Sequence, residues 1–213
     1  MSAATMRITS PLDGQVVAEI ERTPPAEMEA RVRAARAAQP GWAARGLAAR
    51  LDALRKCRKA FHARSEELID AVRKETGKPL PEILGGEIIA NLELFDFYLK
   101  HAARILAPER VPINPLNYPG KRGVIEHRPL GVVGVLSSWN YPVALPMRAI
   151  VPALVAGNAV AFKPSVDATL IGQVLAKVFV ENLPKDVLVV GYGGREVPGW
   201  SSSSPTRSTS SAR

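Results

Sequence analysis

Residues 137–165 read SSWNYPVALPMRAIVPALVAGNAVAFKPS, two polar signatures joined by an apolar helix and a short strand. Just before them, Gly131-Val132-Val133-Gly134-Val135-Leu136 is a β-branched run of the kind that forms a buried parallel strand. Ser137, Ser138 and the corner Trp139-Asn140-Tyr141-Pro142 end that strand. From 143 to 156 the apolar residues Val143, Leu145, Met147, Ile150, Val151, Leu154 and Val155 recur at near-helical spacing, and Gly157-Asn158 supplies a left-handed stop. Residues 159–163 return to the sheet. This reading puts Lys163 at the carboxyl end of one strand and Asn140 just past the carboxyl end of its neighbour, the edge where open α/β sheets bind ligands.

Working outward, residues 168–182 form an apolar helix with Asp167 as its expected N-cap, and 187–190 a further buried strand. On the amino-terminal side, 7–21 alternates apolar and polar residues around Asp13-Gly14 and predicts a β-hairpin. Thr23-Pro24-Pro25 then opens a helix, with Thr23 or a neighbour as cap. Helical spacing predicts helices at 27–39, 47–63, 66–75 and 82–103. Residues 108–120 carry four prolines and two asparagines without periodicity and read as a connecting loop, and 123–127 as a strand. Helices followed by β-α-β-α-β alternation define the fold class: α/β, with a Rossmann-like parallel sheet, an N-terminal β-hairpin and helices.

Composition bounds the function. The 213 residues are 46% hydrophobic, enough to bury a sizeable core. No apolar run approaches the roughly 18 to 20 residues that cross a bilayer, so no membrane partner is expected. The start lacks a secretory pattern, and a single cysteine fits a reducing compartment; the expected localisation is cytoplasmic. The net charge of +8 sits largely between Arg31 and Arg64, where arginines alternate with alanine and leucine in helical fashion. That pattern is a solvated helix face, and without stacking aromatics or a binding module no nucleic acid is expected. His62, His101 and His127 show no paired ligand spacing, so no metal is expected.

The motifs resemble those of the NAD(P)-dependent aldehyde dehydrogenases. Trp139-Asn140-Tyr141-Pro142, Pro152-Ala153-Leu154-Val155-Ala156-Gly157-Asn158 and Lys163-Pro164-Ser165 match three family clusters in order and at the family's spacing. The likeness extends through Glu75-Thr76-Gly77-Lys78-Pro79, the approach Arg128-Pro129-Leu130-Gly131-Val132-Val133, and Leu183-Pro184-Lys185-Asp186-Val187, and covers roughly residues 8–197. The resemblance implies an enzyme that oxidises a small-molecule aldehyde to a carboxylic acid, with NAD or NADP as cofactor, within a family of homo-oligomers.

Carried over residue by residue, the resemblance makes Asn140 the catalytic donor to the oxyanion of a thiohemiacetal, worth about 3 to 4 kcal/mol in the transition state. The plain alternative is a turn residue beside a proline corner. Leu136, Ser137, Ser138, Trp139, Lys163, Pro164, Ser165, Val166 and Gly193 become the cofactor-binding wall, with the Lys163 ammonium on the adenosine-ribose hydroxyls. Otherwise Lys163 is a strand-end lysine reaching water, and Trp139 a core residue. Val166 stands where the family usually has a glutamate, which accepts from the ribose and repels a 2′-phosphate. Its absence implies tolerance of NADP, with Asp167 as a partial substitute. Cys57 lies in an N-terminal helix far from the family nucleophile's position and is not assigned to catalysis.

The expected domain spans residues 1–197, the N-terminal part of the family fold; the Ser/Arg-rich residues 198–213 form a disordered tail. The family's nucleophilic cysteine and base glutamate belong beyond that point, so the chain is expected to be a truncated, frameshifted piece that is inactive alone. Written in GC-rich codons and read one base earlier, residues 200–211 become an amphipathic helix-forming sequence of the kind the family has there. The alternative is a non-catalytic cofactor-binding or subunit-interaction fragment.

Overall fold

The computed structural model describes residues 5–114 and 116–194. The expected tail at 198–213 and the last residues of the 1–197 domain lie outside them. β1 (Thr5–Thr9) and β2 (Val16–Glu21) form the antiparallel hairpin, turned at Asp13-Gly14, where the Asp13 carboxylate accepts the Gln15 N–H at 3.0 Å and Gly14 takes φ 72°. Helices α1 (Pro25–Ala44), α2 (Gly46–Ala63) and α3 (Ser65–Thr76) follow. The cap of α1 is Pro24, not Thr23, whose hydroxyl instead accepts the Tyr192 N–H at 3.0 Å. The helix expected to stop at 39 runs on through Pro40, because Trp42 is buried and its indole N–H donates to the Leu154 carbonyl at 3.1 Å.

The expected helix at 82–103 is three pieces: a single turn α4 (Leu80–Glu82), a π-helical segment Ile83–Ile89, and α5 (Ala90–Ile105). The expected loop at 108–120 contains β3 (Glu109–Val111), which pairs antiparallel with β4 (Gly123–Ile125). Pairing across a proline-rich connection leaves no local signal, which is why periodicity missed it.

The decisive unit is a three-stranded parallel sheet of β5 (Val132–Leu136), β6 (Ala159–Lys163) and β7 (Leu188–Val190), in that order. Helices α6 (Ala144–Val155) and α7 (Thr169–Val180) connect them. A 3-10 turn, Val166–Ala168, precedes α7; Ser165, not Asp167, supplies the capping oxygen, accepting the Asp167 N–H at 3.4 Å.

Strand alternation assigns the two faces. Ala159, Ala161 and Val189 are small and pack against Met28 and Ala35 of α1, so that helix can lie close. Val160, Phe162, Leu188 and Val190 point the other way into the main core, among Met147, Ile150 and Leu154 of α6 and Leu175 and Phe179 of α7. Phe95 of α5 stands between Phe61 and Phe179 at ring separations of 6.0 and 6.3 Å. No helix among the described residues is long and apolar enough to cross a membrane.

Candidate active site at the carboxyl edge of the sheet

The β5–β6 register ends with Leu136 opposite Lys163, and the Ser137 N–H donates to the Lys163 carbonyl at 3.0 Å. Two consecutive β-branched or small-residue strands, each ended by a polar signature, therefore bring residues 136–138 and 163–165 to one edge. Leu136 and Trp139 are each 62% exposed, so Trp139 belongs to the surface of that edge and not to the core. Gly193 follows the end of β7 on the same side, in a segment held by the Gly191 N–H on the Phe162 carbonyl at 3.0 Å.

The Asn140 side chain is exposed and half satisfied. Its Oδ1 accepts the Ser138 hydroxyl at 2.6 Å, while its amide N–H groups donate to no described residue. An amide held through its acceptor presents a free donor, the chemistry an oxyanion needs. Lys163 is half-buried and makes no ion pair or side-chain hydrogen bond with the described residues; partial burial holds its pKa below the usual lysine value. An ammonium in that state favours a ligand that brings oxygen acceptors. Pro164 is buried against α7 so closely that a Cβ at Gly172 would stand 2.4 Å from the proline Cβ. Val166, 37% exposed, follows Ser165 on the same edge.

Beside this edge lies a cleft of about 450 Å³ lined by Glu75, Thr76, Lys78, Trp139, Asn140, Tyr141 and Asp167 among others. One buried carboxylate, Glu75, lines it, a second, Glu87, pairs with the Lys78 ammonium of the lining, and sequence reasoning assigned no role to either. Glu75 accepts the N–H groups of Leu170 and Ile171 at 2.9 and 2.8 Å, at the start of α7. Glu87 accepts those of Val143 and Ala144 at 3.1 and 2.8 Å, at the start of α6. Both helices of the parallel unit are thus capped by acids from the helical layer, satisfying donors that no local residue reaches. Burial pushes the Glu75 carboxyl above its usual value despite the opposing backbone hydrogen bonds. An acid flanked by isoleucines in Ile83-Leu84-Gly85-Gly86-Glu87-Ile88-Ile89 was the one available signal for Glu87.

At the other end of α6, the buried Arg50 guanidinium donates to the carbonyls of Val155 and Ala43 at 3.0 and 2.9 Å, and Gln39 donates to Gly157 at 2.9 Å. Cys57 is 0% exposed, and burial pushes its thiol up to about 12, opposite to the activation that its neighbouring cations would give.

A profile of the Aldehyde dehydrogenase family matches residues 1–200. A 4,4′-diapolycopene aldehyde oxidase from Methylomonas sp is 35% identical over 192 residues, which cover 89% of this chain and 36% of that protein. Among solved structures, succinate-semialdehyde dehydrogenase from Burkholderia pseudomallei superposes with a TM-score of 0.83 at 28% identity, covering 91% of this chain and 39% of that one. PnpE in complex with nicotinamide adenine dinucleotide gives 0.81 at 28% identity, with 90% and 38% covered. The chain therefore spans little more than a third of the length of these relatives.

Proposed function

This chain belongs to the aldehyde dehydrogenase family, and from that premise we propose that the carboxyl edge of its sheet is the NAD(P) wall and oxyanion donor of an aldehyde-oxidising enzyme. The observation that carries the reading is the pairing of Leu136 with Lys163 at the strand ends, with the free-donor Asn140 corner directly beyond. The residues fit a dinucleotide. The Lys163 ammonium, without a protein partner among the described residues, donates to ribose hydroxyls; Leu136 and Trp139 offer exposed apolar surface, and Ser137 and Ser138 offer hydroxyls. When bound, the dinucleotide supplies the acceptor for the aldehyde's hydride. The Asn140 amide donates to the aldehyde oxygen as negative charge develops on it. Val166, lacking the family's carboxylate, leaves the wall open to a 2′-phosphate, so NADP is accepted alongside NAD.

The only thiol in the 213 residues is Cys57, buried and protonated at neutral pH, so the attack on the aldehyde is not made from within this chain. Taken alone, the chain binds dinucleotide without turning over aldehyde. Calorimetric titration of the purified chain with NAD+ tests the reading: saturable binding is expected, weakened at least about tenfold in Lys163→Met. Binding of equal strength in that variant would remove Lys163 from the wall, and no binding to either protein would refute the site.

A further inference from the structure

We infer that Lys78, Gly86 and Glu87 are positioning residues that set the geometry of the Asn140 corner. The inference rests on the assignment of Asn140 as the oxyanion donor, but its test reads where Asn140 sits and not what it binds.

Asn140 has little holding it directly. It is exposed, and the Ser138 hydroxyl is its one side-chain contact by hydrogen bond among the described residues. Its placement must come from the backbone on either side, and three of the next four residues, Tyr141, Val143 and Ala144, are gripped from the helical layer. Glu87 is 0% exposed. Its Oε2 accepts the N–H groups of Val143 and Ala144, three and four residues after Asn140. Its Oε1 accepts from the Lys78 ammonium at 3.1 Å. That same ammonium stands 3.9 Å from the centroid of the Tyr141 ring, immediately next to Asn140, and 3.4 Å from the Glu82 carboxylate.

The helix carrying Glu87 is adapted to this contact. Ile83–Ile89 is π-helical, a conformation found mostly as short insertions within α-helices and frequently at functional sites. Gly86 sits where a Cβ would come within 3.1 Å of Tyr141 Cε1, so its lack of a side chain admits the ring. If stability alone were served, apolar residues of matching volume would do as well as a buried ion pair. They would not accept two N–H groups of the corner while holding its aromatic ring, and that combination is what the pair supplies.

The test uses the 15N-labelled 213-residue chain. The Asn140 side-chain amide signals and hydrogen exchange at Val143 and Ala144 are followed, with Leu170 and Ile171, capped by Glu75, as internal reference. In Lys78→Met the Asn140 signals are expected to move and exchange at Val143 and Ala144 to quicken at least about tenfold, with Leu170 and Ile171 unchanged. Lys78→Arg, which keeps the cation, is expected to restore most of the protection. Gly86→Ala carries no helical penalty and is expected to move the Asn140 signals through Tyr141 alone. Unmoved Asn140 signals in both Lys78→Met and Gly86→Ala would overturn the inference. So would an equal loss of protection at both caps, the mark of general loosening. Should Lys78→Met fail to fold, Gly86→Ala decides by the same criterion. A failed NAD+ titration would refute the proposed function and leave this result standing.

Discussion

At the scale of single residues, two side chains carry predictions. In the proposed dinucleotide wall Val166 stands where a carboxylate would oppose a 2′-phosphate, so Val166→Glu is expected to raise the Kd for NADP relative to NAD by roughly tenfold, about 1.4 kcal/mol. Competitive titration of both dinucleotides measures it, and an unchanged ratio would acquit Val166. Glu75 makes a pH prediction. Its folded pKa is raised by burial, so between its unfolded and folded pKa values the folded chain binds more protons than the unfolded one. Stability from this group is therefore fully present below the ordinary glutamate value and is lost as pH rises through the raised folded value. Subtracting the Tm–pH curve of Glu75→Gln from that of the parent isolates it, and a difference that rises with pH over that window would contradict the assignment.

At the scale of elements, the contact between Pro164 and α7 is the informative one. Gly172→Ala in a free helix would gain about 1 kcal/mol, but here the added Cβ meets Pro164 at 2.4 Å. The variant is expected to lose about 1 to 3 kcal/mol in urea unfolding and to weaken dinucleotide binding by displacing the wall; a gain in stability would contradict the packing. These elements also divide what was legible from what was not. β5 and β6 were readable to the residue, because β-branched runs bounded by Gly131 and by Gly157-Asn158 leave one reading. The turn that ends β5 at residues 139–142 was readable from its polar residues and Pro142. The continuation of α1 past Pro40 was not, since Trp42 is anchored by a carbonyl 112 residues away in sequence. Neither was the π-helical turn, nor the capping of α6 and α7 by Glu87 and Glu75, because each depends on donors contributed by another element. Local pattern reports a residue's own backbone preference and not the partner that overrides it.

At the scale of the whole molecule, a main core runs from α2, α3 and α5 through α6 and α7 to one face of the parallel sheet, and α1 covers the other face. Within it, tertiary caps hold both ends of α6, Glu87 at its start and Arg50 at its end. Replacing Arg50 with methionine, which removes the guanidinium that donates to the Val155 and Ala43 carbonyls, is expected to cost about 1.5 to 3 kcal/mol in urea unfolding; a cost below about 0.5 kcal/mol would show that the cap is dispensable. The purified chain is expected to produce no NAD(P)H when mixed with aldehydes, and turnover that persists in Cys57→Ser would reveal a nucleophile not assigned above. The central claim is that the edge formed by the ends of β5, β6 and β7 is a dinucleotide wall, and titrating the 15N-labelled chain with NAD+ tests it most directly. Amide shifts concentrated at Leu136, Ser137, Ser138, Trp139, Lys163, Ser165, Val166 and Gly193 are the expected result. Saturable shifts centred elsewhere, or none at all, would contradict it.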